Sequence, residues 1–260
     1  MTSRWGKRRR RILSGAGIGA SLIFVVALLV LSPLASAAQV GVVDKKPYSG
    51  VAYTATQTSF NGIGCPGTGN YTFAPPFFSL TKGRGGGDDE STSIPCSSGV
   101  DEYHEVDMWF GINLSSFRVS TTVKHDHVRF HWSLSYDLLV NTTWAGGSDT
   151  SYAFAEVIIG AWVYDISTGV NTGSGSVYDD YTYLDDAQGT QQNYVTRTAV
   201  LATMEVTVNL VAGDVYELRS WIESTARAET DGPLGSANNA LAQVTWPAGG
   251  PEGKLVSITF

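Results

Sequence analysis

Along residues 128–140 the even positions are Val128, Phe130, Trp132, Leu134, Tyr136, Leu138 and Val140, while Arg129, His131, Ser133, Ser135 and Asp137 stand between them. Successive side chains of a strand point to opposite faces, so a two-residue beat predicts an antiparallel strand with one buried face. Val200, Ala202, Met204, Val206, Val208 and Leu210 repeat the beat, with Thr203, Glu205, Thr207 and Asn209 opposite. After Ala212-Gly213-Asp214 it resumes through Tyr216, Leu218, Ser220 and Ile222, which reads as a hairpin. Residues 154–164 are apolar on both parities, through Val157, Ile158, Ile159, Trp162 and Val163, and predict a central strand covered on both sides.

Weaker alternation marks strands at residues 51–59, 71–80 (interrupted by Pro75-Pro76), 106–112, 177–184, 240–246 and 255–260. The glycine-rich run at residues 83–89 reads as irregular, and no segment carries an apolar stripe of helical period with caps. About nine or ten strands at this spacing predict an all-β fold, an antiparallel two-sheet β-sandwich or jelly-roll-like domain over residues 38–260. Residues 211–219, followed by an alanine-rich strand, resemble hairpins common to secreted β-sandwich proteins, which implies architecture and no particular activity.

The chain opens differently. Arg4, Lys7, Arg8, Arg9, Arg10 and Arg11 precede an uncharged apolar stretch at residues 12–31, then Pro33 and Ala35-Ser36-Ala37. Basic start, apolar centre and small-residue cleavage site compose a secretory signal peptide, so residues 1–37 are expected to be a signal helix removed after Ala37. Retained, residues 12–31 would instead anchor the domain, with the arginines held inside. Arg9-Arg10-Arg11-Ile12-Leu13 also resembles a twin-arginine export motif. The expected location is therefore secreted or cell-surface, with any membrane contact confined to this segment.

Export changes how charge and cysteine are read. Loss of residues 1–37 leaves 11 basic against 24 acidic residues, a formal charge of −13. Such a surface repels phosphate backbones, which argues against nucleic acid and for an extracellular protein or glycan as partner. Cys65 and Cys96 lie beside Pro, Gly and Ser, and in an oxidising compartment predict one disulfide closing a loop region over residues 61–99. Asn70, Asn113 and Asn141 each head an N-glycosylation triplet.

Candidate chemistry is sparse. His104, His125, His127 and His131 fall close together, and the last three share strand parity. His-x-His on a strand sets two imidazoles about 7 Å apart at Cα, within reach of one transition-metal ion. The pair resembles the cupin metal motif, although His131 stands where that family has Glu and no histidine follows. Asp179, Asp180, Asp185 and Asp186 bracket Tyr181-Thr-Tyr-Leu184 and form a candidate calcium loop. Trp144, Trp221 and Trp246 are candidates for sugar stacking. No Gly-x-Ser-x-Gly, His-Glu-x-x-His or phosphate loop occurs. Asp107, Asp137, Glu156 and Glu205 are the strand-borne acids from which a paired-carboxylate hydrolase would draw. These features favour a structural or binding role over catalysis, with a carbohydrate-binding module as the first alternative and a metal enzyme as the second.

Overall fold

The computed structural model describes residues 50–61, 69–95, 102–114, 116–119, 122–146, 149–175, 178–232, 237–247 and 252–259, with the side chains of 61, 123–125 and 174 outside that description. The signal segment with Ala37, and the expected Cys65–Cys96 bridge, lie outside the described residues.

The described chain is all-β, without a helix, and forms two antiparallel sheets packed together. The first sheet runs β1 (Gly50–Asn61), β4 (Glu102–Leu114), β11 (Val215–Thr230) and β7 (Ser151–Asp165). Two strands share the far edge of β7: β8 (Val170–Ser174) beside residues 162–165 and β9 (Tyr178–Asp185) beside residues 152–159. The two-residue β5 (Phe117–Arg118) pairs with the start of β11. The second sheet runs β10 (Gly189–Leu210), then β6 (Val123–Trp144). Beside β6 lie β12 (Asn239–Thr245) and β13 (Gly253–Thr259), followed by β3 (Arg84–Ser93) and β2 (Gly69–Ser79). No described helix is long and apolar enough to cross a membrane.

Alternation decides the core. Val128 through Val140 on the even positions of β6 are fully buried, and they meet Phe110, Ile112, Val157, Ile159, Leu218 and Ile222 of the first sheet. Each such side chain gains about 1.5–3 kcal/mol from leaving water. Aromatic edges lock the interior: Phe110 meets Trp246 at 5.1 Å and 87°. Polar bonds also cross between the sheets, three of them deep in the core. Trp132 Nε1 donates to Ser220 Oγ at 2.9 Å, Ser91 Oγ donates to the Ala226 carbonyl at 2.8 Å, and Ser93 Oγ meets Thr230 Oγ1 at 2.8 Å. Buried hydroxyls without such partners would carry a desolvation penalty.

Several sequence expectations change. The strands number thirteen among the described residues, against nine or ten expected. Residues 84–89 are not irregular but begin β3. Gly85 packs so tightly that a Cβ would lie 2.3 Å from the Phe77 carbonyl and 2.7 Å from the Phe110 ring, so the glycines there serve close approach. The segment around Ala212-Gly213-Asp214 is not a hairpin. Its flanking strands belong to different sheets, β10 pairing with β6, and β11 with β4 and β7. Gly213, at φ 96°, carries the chain across the sandwich edge. Parity survives because both strands face the same core. Strand β7 is central, but only its odd positions enter that core; its even positions form part of the outer face.

Trp132 is fully buried, with the only indole N–H known to bridge the two sheets among the described residues. Trp132→Ala is expected to cost about 3–5 kcal/mol, and Trp132→Phe distinctly less, as urea unfolding will measure.

Candidate functional site

The outer face of the first sheet concentrates chemistry through strand register. Four rows are decisive. Asp107, Thr225, Glu156 and Tyr181 lie abreast on β4, β11, β7 and β9. In the next row stand Trp109, Glu223, Ile158 and Asp179, followed by Gly111, Trp221 and Gly160. On the other side of the acids come Glu105, Arg227, Phe154 and Tyr183. Half-buried acids thus occupy the middle of the face, with rings toward both ends of the strands.

Glycine shapes one of those ends. A Cβ on Gly160 would fall 2.1 Å from the Trp221 ring, so the indole lies directly on the sheet backbone. Trp162 meets it at 4.3 Å between centroids, tilted by 52°. Beneath, Trp132 Nε1 donates to Ser220 Oγ, and Ser220 Oγ donates at 3.0 Å to the Gly160 carbonyl, tying this platform to the core. Arg219 pairs with Glu217 at 2.6 Å and stacks 4.7 Å from the Tyr164 centroid. At the other end Tyr152 and Phe154 are nearly parallel at 6.4 Å, with Tyr181 6.0 Å from Phe154 and Tyr183 6.2 Å from Tyr181. Arg227 pairs with Glu229 at 2.7 Å and lies 4.6 Å from the Tyr103 centroid.

The acids between the platforms are electrostatically crowded. Burial, then the neighbouring Glu105, pushes Asp107 up to about 7, although Thr225 Oγ1 donates to its Oδ1 at 2.8 Å. Burial, then Asp179, pushes Glu156 up to about 7. Glu223 is also raised by burial, while hydrogen bonds from the Trp109 and Trp221 side chains oppose the rise. Desolvation and like charge both disfavour ionisation, so near neutrality this face holds carboxyls that donate as well as accept hydrogen bonds.

His104 is buried on the inner face of the first sheet, beside Phe60 and against Gly69 of the second, where burial lowers its pKa. His127 and His131 lie on the outer side of the second sheet. His127 Nδ1 pairs with Glu205 at 2.9 Å, and His131 bonds Thr203 and Thr259. The side chain of His125 is outside the description. His104 therefore does not join His127 and His131, and no group of three or more metal-binding side chains gathers among the described residues. Asp179 and Asp185 take one face of β9 and Asp180 the other, where Arg197 and Tyr136 bond its carboxylate. Asp186, at φ 48°, accepts from the Ser151 amide at 3.0 Å. Asp180 and Asp186 thus serve separate local roles, while Asp179 and Asp185 share the outer face of β9. Trp246 is buried rather than exposed, and Trp144 donates to the Asp149 carbonyl. Asn70, Asn113 and Asn141 all lie within strands.

Asp107 and Glu156 were legible as candidates, and parity placed Trp221 off the core. Sequence reasoning missed Glu223, Trp109, Trp162, Tyr181 and Tyr183 as members of one face, because register between distant strands carries no local signal. No protein-family description matches the chain, and no curated protein matches it. Among solved structures, an isomalto-dextranase of Arthrobacter globiformis T6 complexed with panose aligns at 13% identity and a TM-score of 0.12. The alignment covers 68% of this chain and 33% of that one, so the chain spans about a third of the matched protein's length. That score does not denote a shared fold.

Acids whose folded pKa exceeds the unfolded value of about 4 bind more protons when folded. Stability is then lost as pH rises from the unfolded pKa towards about 7. Asp107→Asn and Glu156→Gln are each expected to raise Tm at pH 7 by about 2–4 °C, and to leave it near the parent's value at pH 4. Thermal melts across that range measure the difference.

Proposed function

We propose that this chain is an exported, jelly-roll-like carbohydrate-binding protein that holds a glycan on the outer face of its seven-stranded sheet. The observation that carries the reading is the Trp221 indole lying on Gly160 beside half-buried carboxyls. A pyranose presents a face of C–H bonds and a rim of hydroxyls. The negative face of an indole attracts those C–H groups, and neighbouring carboxyls bond the hydroxyls. Ring and carboxyl have to lie side by side for both contacts to form on one sugar, and in this sheet they do.

Export is part of the same proposal. It rests on the basic start, the apolar residues 12–31 and Ala35-Ser-Ala37, and it supplies the oxidising compartment in which Cys65 and Cys96 would pair. Binding to glycans outside the cell requires no covalent step and suits an acidic chain that would be repelled by phosphate-rich partners.

Affinity electrophoresis of the protein purified from its host, against a panel of soluble polysaccharides, tests the proposal. At least one polysaccharide is expected to retard the parent chain. Trp221→Ala is expected to weaken that binding by at least about tenfold, equivalent to 1.4 kcal/mol. Gly160→Ala, which keeps the indole but lifts it from the backbone, is expected to weaken it as well. Retardation by none of the panel, or undiminished retardation of both variants, would overturn the reading.

A further inference from the structure

We infer that the ligand is a glycan chain without acidic groups, long enough to rest on both aromatic platforms at once, an inference that stands on the carbohydrate-binding reading. One platform is Trp221 with Trp162; the other is Phe154 with Tyr181 and Tyr183. Tyr181 is 50% exposed and so has surface to offer a ligand.

Register fixes how far apart they stand. Trp221 pairs with Gly160, and Glu156, four residues further along the same strand β7, pairs with Tyr181. Four residues of strand rise and two strand spacings make a Cα separation of roughly 17 Å. One sugar ring cannot touch both platforms; an oligosaccharide running obliquely across β11, β7 and β9 can. The lane between them carries Glu223, Ile158, Glu156 and Asp179. Its polar groups are thus all carboxyls, suited to hydroxyl partners spaced along a chain.

The same lane sets the ligand's charge. Uronate, sulfate or phosphate groups would add negative charge beside Glu156 and Glu223, which already resist ionisation, so each anionic group would cost further free energy there. The two guanidiniums beside the lane are already engaged: Arg219 with Glu217 and the Tyr164 ring, Arg227 with Glu229 and the Tyr103 ring. A neutral chain meets neither obstacle. Contact with two linked platforms also makes the second contact intramolecular, so affinity rises with chain length once both are spanned.

Titration calorimetry on the chain purified from its host tests this with two-unit and six-unit members of neutral gluco-, xylo- and manno-oligosaccharide series, together with six-unit oligogalacturonate. In at least one neutral series the six-unit member is expected to bind at least about tenfold tighter than the two-unit member. Trp221→Ala and Tyr181→Ala are each expected to abolish that gain, with far-UV circular dichroism confirming an unchanged fold. Gly160→Ala serves as a second variant should Trp221→Ala unfold the sheet. Equal binding of short and long neutral chains would overturn the inference while leaving carbohydrate binding intact, as would tighter binding of the oligogalacturonate. Binding of no sugar at all would overturn both.

Discussion

Burial of one face of the central strands β4, β6, β7 and β11 between the two sheets is the constraint on which the remaining structure depends. A strand has two faces, so once Phe110, Ile159 and Ile222 are committed to the interior, the residues between them must face outward. Trp109, Glu223 and Ile158 acquire their common surface in this way, as the complement of a packed core. The outer face is as ordered as the interior because the same backbone serves both.

Polar groups reinforce that coupling at a few points. Trp132 in the second sheet bonds Ser220 in the first, and Ser220 in turn bonds the carbonyl of Gly160, on which the Trp221 indole lies. A fully buried side chain is thereby linked in two hydrogen bonds to the backbone supporting an outer ring. Elsewhere Tyr136 reaches from the core to Asp180, which also takes two hydrogen bonds from Arg197. Burial works against ionisation of Asp180, yet these donors hold its carboxyl below the ordinary range. Asp107 and Glu156 are buried to a comparable purpose but surrounded by acids, and move the opposite way. Environment, rather than residue type, therefore separates the roles of these acids.

Much of the architecture was legible from period-two alternation. The strands around Trp132, Met204 and Ile222 face the core as their parity predicts. The failures have local causes. Gly85, Gly86 and Gly87 carry a loop signature, yet they belong to a strand whose neighbours leave no room for a Cβ at Gly85. The turn at Gly213 has hairpin composition, but a turn's residues do not specify which sheet receives the next strand. Trp162 and Tyr164 belong to a strand apolar on both parities, so alternation had no means of choosing their side.

The sequence alone determined that this chain would form strands, which positions of the clearest ones would be buried, and that its composition suits a two-sheet sandwich. It also marked Asp107 and Glu156 as strand-borne acids. Only the tertiary structure decided that they share a face with Glu223, Trp221 and Tyr181, while His104 turns away from His127 and His131. The reason is physical. Alternation is written in neighbouring residues, whereas register between β4, β11, β7 and β9 is set by how whole sheets pack, over separations that run from a few tens of residues for β7 and β9 to more than a hundred for β4 and β11.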